Sequence, residues 1–180
     1  MTGCSSLQGT GDKGYLSGDG RITQVPIADR GDPVEVSGTT LDEKSLSLTD
    51  LRGSVVVVNV WGSWCPPCAA EMPDLVSVAS DPATEAEFVG INVRDPSPAN
   101  AQSFVRSFDV PYPSLYDPDG ETLLAFQGLV APRAIPSTLI LDREGRIAVS
   151  LIGPLPSALT LAGLVEDVAA EGSEGGAGDG

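Results

Sequence analysis

The sequence predicts one α/β domain on a central mixed β-sheet flanked by helices, and three stretches carry that prediction. Residues 55–60 are a valine run broken only by Asn59. Such a β-branched run suits a strand buried on both faces. It leads through Trp61-Gly62-Ser63-Trp64-Cys65-Pro66-Pro67-Cys68 into the helix-forming Ala69-Ala70-Glu71-Met72. A second apolar strand over 87–93 is followed by a helical pattern, and strand–helix–strand implies a parallel pair. Near the C-terminus, Ser137–Leu141 and Ile147–Ile152 flank Asp142-Arg143-Glu144-Gly145-Arg146, a hairpin that adds antiparallel strands.

Each element has a local reason. Residues 1–30 are rich in Gly, Ser, Thr and Asp and read as a flexible tether, with Tyr15 and Ile22 as isolated apolar points able to dock. The folded domain is expected over 31–171, and 172–180 form a Gly-rich disordered tail. Val34-Glu35-Val36 and Leu46-Ser47-Leu48 alternate around Asp42-Glu43-Lys44, predicting an extra N-terminal hairpin. The helix after the cysteines carries Met72, Leu75, Val76 and Val78, with Pro73 expected to kink it. Ser97-Pro98 is a helix start, and Ala101, Phe104, Val105 and Phe108 share one face. A short strand is expected over 112–116, a turn at Asp117-Pro118-Asp119-Gly120, and a short helix over 121–127 ended by Gly128. Ser157 caps a last helix whose apolar face is Leu161, Leu164, Val165 and Val168.

Composition bounds the function. The 180 residues carry a net charge of −15. Nucleic acid and electrostatic docking on an anionic bilayer are therefore not expected, since both need clustered Lys and Arg. No apolar run approaches the length of a transmembrane helix. The three cysteines leave Cys4 outside the Cys65–Cys68 pair. Met1-Thr2-Gly3-Cys4-Ser5-Ser6 resembles the end of a bacterial lipoprotein signal without its charged and apolar part. That resemblance implies an extracytoplasmic protein anchored to the cell membrane by lipid on Cys4.

The chemistry centres on Cys65 and Cys68. Cys65 is placed at or near a helix N-cap, where the dipole and free N–H groups favour a thiolate, and Cys68 lies one turn on, within disulfide reach. Pro66 and Pro67 fall in the first turn, where their missing N–H groups cost no helical bond. Cys65 is expected to be the exposed nucleophile and Cys68 the buried resolving thiol. Zinc needs about four N/S ligands, and the chain has no histidine and one further cysteine. Haem attachment needs a histidine where Ala69 stands. A two-residue ring is a weak staple. Dithiol–disulfide redox chemistry, with no metal and no cofactor, is what remains.

A second stretch, Ala134-Ile135-Pro136-Ser137-Thr138, places a proline at a strand start. Together with Trp64-Cys65-x-x-Cys68 at a strand-to-helix junction, it resembles the thioredoxin-like fold. The preceding hairpin, 60–65, Glu71-Met72-Pro73, Leu139-Ile140-Leu141-Asp142 and Glu144-Gly145 resemble the membrane-anchored TlpA/ResA-like thiol–disulfide oxidoreductases, over about residues 33–170. The resemblance implies a cis Pro136 facing the cysteines. It also implies that Glu71 tunes the thiols and accepts the Cys68 proton. Asn59 stands where thioredoxin has a buried aspartate, and asparagine cannot take a proton. Trp64, Pro66, Pro67, Ile135 and Pro136 would contact substrate. Trp61 and Trp64 read as part core and part rim, and Arg133 as a minor candidate near the thiolate.

The chain reads as a monomeric reductase or isomerase of protein disulfides; the resemblance implies the cysteines of apocytochrome c as substrate and a membrane thiol carrier that re-reduces the pair. The alternative is an oxidant that assists folding of secreted proteins. A peroxiredoxin-like peroxidase would need threonine where Gly62 stands. A copper-delivery relative would need wider cysteine spacing and a histidine.

Overall fold

The computed structural model describes residues 22–126 and 135–171. The valine run is β4, Val55–Trp61, and every one of its residues is buried. It lies between β5, Ala86–Val93, paired parallel, and β7, Ser137–Leu141, paired antiparallel. Outward from β5 stands β6, Ser114–Asp117, and outward from β7 stands β8, Ile147–Ile152. With β1 at Ile22–Gln24, the sheet order is β1-β8-β7-β4-β5-β6, mixed as expected.

Alternation along β4 divides the core. Val55, Val57 and Trp61 face a cluster with Met72, Leu75 and Val78 of α1 (Pro66–Ala79), Ala101 and Phe104 of α2 (Pro98–Ser107), and Leu161, Val165 and Val168 of α3 (Ala158–Glu171). Val56, Val58 and Val60 face the other cluster, with Val34, Val36, Leu48, Leu115 and Phe126. Asn59 shares the helix-facing side, so a polar side chain is aimed at α1 from mid-strand.

The edges depart from the sequence reading. Ile22–Gln24, expected in the tether, form β1 and pair with β8, with Ile22 opposite Leu151. Arg30 then holds this segment: its guanidinium donates to Asp142 at 2.9 Å and to Glu171 at 2.7 Å, with only 3% of the Arg30 side chain exposed. The N-terminal hairpin exists, but its strands are β2, Ser37–Thr39, and β3, Ser45–Ser47. Val34 and Val36 are instead irregular, buried against the sheet, and bonded through Val34 N to Gly145 O and Leu48 N to Val36 O. Alternation reported burial of a face there, not membership of a ladder.

Smaller shifts follow the same logic. Residues 48–51 and 121–126 form 3-10 turns, and β6 begins two residues later than expected. Pro73 stands inside α1, which continues to Ala79. It lies on the exposed side, so the Ala69 carbonyl that it cannot bond faces outward. Ser157 caps α3 as expected, its hydroxyl accepting from Thr160 N at 3.2 Å. Gly128, Arg133, Tyr15 and Cys4 lie outside the described residues. Among the described residues, no helix is long and apolar enough to cross a membrane.

Candidate active site

β4 ends at Trp61, and four residues later Cys65 caps α1. The backbone N–H of Cys68 donates to Cys65 Sγ at 3.2 Å, and Pro66 and Pro67 fill the first helical turn, exposed to solvent. Cys65 and Cys68 form a disulfide with 5.3 Å between their Cα atoms. Both are buried, with 2% of Cys65 and none of Cys68 exposed. The exposed nucleophile expected from the sequence is therefore not seen in the disulfide form. Trp64, on the other side of Cys65 from the exposed prolines, is also open, at 47%.

Trp64 is held in that position. Its indole N–H donates to Val93 O at 3.1 Å. Gly62 makes room for it, because a Cβ at residue 62 would overlap the indole. Asp95, buried at the end of β5, accepts from Ser63 N at 2.9 Å, from the Ser63 hydroxyl, and from Asn92 Nδ2 at 2.6 Å. So the C-terminal end of β5 fixes the segment leading into Cys65. Arg94, with φ of 58°, makes the left-handed turn between Val93 and Asp95. Trp61, expected to be partly rim, is wholly core. It is stacked on Phe104 at 4.8 Å, and its indole N–H donates to Ser114 Oγ.

The Ile135–Pro136 bond is cis, as the resemblance implied. The β4–β7 register sets Val60 opposite Ser137, which carries Pro136 to the end of β4 where the chain enters the cysteine loop. Ile135 is half-buried and packs against the cluster that contains both cysteines.

Glu71 follows Cys68 by one turn of α1 and is 3% exposed. One carboxyl oxygen, Oε1, accepts from Asn59 Nδ2 at 3.0 Å. The other, Oε2, accepts from the backbone N–H of Leu155 at 2.8 Å. Asn59 Nδ2 also donates to Thr138 Oγ1 at 3.2 Å, and the register places Asn59 directly opposite Thr138. Burial pushes the Glu71 pKa up from 4.5 to about 7 against the two hydrogen bonds, which favour the carboxylate; Asp74 adds a smaller push upward.

Sequence reasoning singled out both cysteines, which the structure joins, Glu71, which it buries, and Pro136, whose peptide bond is cis. It missed Thr138, Asp95, Ser63 and the Leu155 N–H, which meet the site only through strand register and loop packing. The alert was at Asn59, a polar residue inside a valine run. Among the described residues no group of three His, Cys, Asp or Glu side chains could hold a metal ion.

Residues 31–150 match the model of the AhpC/TSA family. The chain is 36% identical to the thiol:disulfide interchange protein HelX of Rhodobacter capsulatus, over 59% of this chain and 57% of that one. It is 34% identical to the thiol:disulfide interchange protein DsbE of Allochromatium vinosum, over 76% of this chain and 73% of that one. It is 30% identical to the thiol–disulfide oxidoreductase ResA of Bacillus subtilis, over 64% and 63%. Thus the chain spans less than two thirds of HelX and of ResA. A solved DsbF homologue from Corynebacterium diphtheriae superposes with a TM-score of 0.76 at 34% identity, covering 87% of this chain and 99% of that one. A secreted thiol-disulfide isomerase from Corynebacterium glutamicum gives 0.75 at 32%, covering 86% and 98%. Fold, cysteine pair and matched span agree: the chain belongs to the AhpC/TSA family, with the thioredoxin-like architecture of the ResA- and DsbE-type proteins.

Proposed function

We propose that the chain is an extracytoplasmic protein thiol–disulfide oxidoreductase that reduces disulfides through Cys65 and Cys68. The observation that carries this reading is the Cys65–Cys68 disulfide capping α1, with a buried acid one turn further on. In the reduced enzyme the Cys65 thiolate, favoured by the helix N-terminus, attacks a substrate disulfide. One substrate sulfur leaves as a thiolate and the other joins Cys65. Glu71 takes the Cys68 proton, and the Cys68 thiolate then attacks Cys65 Sγ. The mixed disulfide breaks, the second substrate thiolate departs, and the enzyme disulfide re-forms. Two electrons have passed to the substrate.

Trp64, Pro66, Pro67, Ile135 and Pro136, the last buried in the disulfide form, are the substrate-contacting residues in this reading. Trp64, Pro66 and Pro67 are exposed beside the pair, and Ile135 and Pro136 stand at the end of β4. Similarity to ResA and DsbE supports the thiol–disulfide exchange; in this reading apocytochrome c cysteines are among the substrates, and a membrane thiol carrier returns the electrons. A lipid on Cys4 would hold the enzyme, acting as a monomer, at the membrane surface.

The likeness to a secreted thiol-disulfide isomerase favours a second reading, in which the same residues pass their disulfide to secreted proteins. The reduction potential of the pair separates the two. It is measured by tryptophan fluorescence in defined thiol buffers. The reductive reading expects a value near or below about −250 mV. A value near about −120 mV overturns it and leaves the oxidant.

A further inference from the structure

Buried beside Glu71 is an unmet acceptor. Asn59 Oδ1 is fully enclosed and has no hydrogen-bond partner among the described residues. Its twin on the same amide, Nδ2, donates to both Glu71 Oε1 and Thr138 Oγ1. A buried polar atom left unpaired costs about 1–3 kcal/mol, so its place beside a proton-accepting acid calls for a reason.

The reason lies in what Glu71 meets in its two states. As a carboxylate it only accepts, and both neighbours, Asn59 Nδ2 and Leu155 N, only donate. As an acid it carries an O–H that needs an acceptor, and neither neighbour in this arrangement offers one. A group able to supply one is the same Asn59 amide, turned over. Its Oδ1 would then stand where Nδ2 stands, between Glu71 and Thr138. Thr138 suits either orientation, because a hydroxyl accepts from Nδ2 or, after rotating, donates to Oδ1. The empty position takes part in either orientation. One edge of the amide faces the unpartnered position in both orientations, Oδ1 in one and Nδ2 in the other. An amide fully bonded on both edges would be locked.

We infer that Asn59 is a positioning residue that reverses its side-chain amide when Glu71 gains or loses a proton, giving a partner to both forms of the acid. This rests on the proposed role of Glu71. Proton and bonds balance: Cys68 loses its thiol proton to Glu71 Oε1, and the new O–H donates to Asn59 Oδ1. Asn59 Oδ1 also takes the Thr138 hydroxyl, while Leu155 N keeps its bond to Oε2. The upward displacement of the Glu71 pKa to about 7 puts both forms within reach near neutral pH. The other titratable groups acting here are Asp74 on α1, Tyr112 between α2 and β6, and Cys68 when reduced. β4, β7 and residues 153–156 add no ionisable side chain.

The experiment is an NMR titration of the intact, oxidised protein, following the Asn59 side-chain NH2 and the Glu71 carboxyl carbon together. The expected result is one shared midpoint, with the NH2 signals losing their contact to Thr138 below it. An amide that keeps its shifts and its Thr138 contact through the Glu71 midpoint overturns the reversal and leaves Glu71 as the base. A Glu71 carboxyl that fails to titrate between pH 5 and 9 removes that reading and the reversal together. Asn59→Ala adds a kinetic readout. A reversing amide supports both forms, so its loss should slow resolution about tenfold while moving the Glu71 midpoint by less than about one pH unit. A fixed donor supports only the carboxylate. Its loss would raise the midpoint by about one to two pH units, and that result would also overturn the reversal.

Discussion

Glu71→Gln in the oxidised protein isolates the energetic consequence of burying an acid beside the cysteines. With the thiols joined, neither cysteine titrates, and burial pushes the Tyr112 pKa upward, away from neutral pH. Glu71 has an ordinary value of 4.5 and a folded value of about 7, raised chiefly by burial. The sign follows from proton counts. Between those values the folded state holds the proton and the unfolded state has lost it, so stability falls as pH rises through the interval. Below 4.5 both states are protonated and there is no penalty; above 7 the penalty is complete, at about 3 kcal/mol. About 2–3 kcal/mol of this falls between pH 5 and pH 8. For a domain of this size that corresponds to roughly 5–10 °C in Tm. Glutamine carries no such linkage. Denaturant unfolding of both proteins at pH 5 and pH 8 should show the wild type losing about 2–3 kcal/mol more than Glu71→Gln over that range. Parallel pH dependence in the two proteins would refute the raised pKa, and with it the idea that burial readies Glu71 for proton transfer near pH 7.

Four further variants have expected outcomes. Cys65→Ser should abolish thiol transfer, while Cys68→Ser should accumulate mixed disulfides visible as a mass increase on incubation with a disulfide-containing protein; full activity of Cys65→Ser would reassign the nucleophile. Gly62→Ala places a methyl where the Trp64 indole lies, so it should displace that ring from Val93 O at a cost of about 1–3 kcal/mol. A shift in tryptophan emission would report the displacement, and an unchanged spectrum would contradict the packing. Arg30→Ala strands the buried charge of Asp142 and frees the partly exposed Glu171, though Arg146 still pairs with Asp142. It should cost about 3 kcal/mol in denaturant unfolding, and a loss below 1 kcal/mol would show that the β1 segment is not held through Arg30.

Sheet and site were legible to different depths. The valine run, the βαβ unit and the second hairpin were readable because each repeats a local pattern set by burial. The N-terminal edge was not, because burial does not specify a hydrogen-bond ladder. Val34 and Val36 are buried without forming a strand, and Ile22 joins a strand from a stretch with no periodicity. In the site, Cys65, Cys68 and Glu71 share one helix, so spacing placed them. Thr138 reaches Asn59 across a register spanning 79 residues, and Leu155 reaches Glu71 through a loop backbone whose side chain carries no signal. Asp95 pairs with Ser63 because β5 ends beside β4, a fact of topology rather than composition.

The deepest polar groups also obey local rules least, and they are concentrated around the cysteines. β4 is apolar at every position except Asn59, and that exception meets Glu71, an acid buried in the helix that carries Cys68. Two buried side-chain oxygens lack partners among the described residues. One is on Asn59, beside Glu71; the other is on Asn92, whose amide donates to the aspartate that anchors the loop before Cys65. A sheet tightly packed on both faces can hold such groups in place without collapsing around them, and their removal for apolar residues would be expected to stabilise the fold. Their presence is accounted for, in the proposed function, by chemistry at the disulfide. It argues for a site in which the proton is managed as deliberately as the electrons: a buried acid to take it, an amide able to face either form of that acid, and a pinned loop that keeps Cys65 at the helix cap while the proton moves.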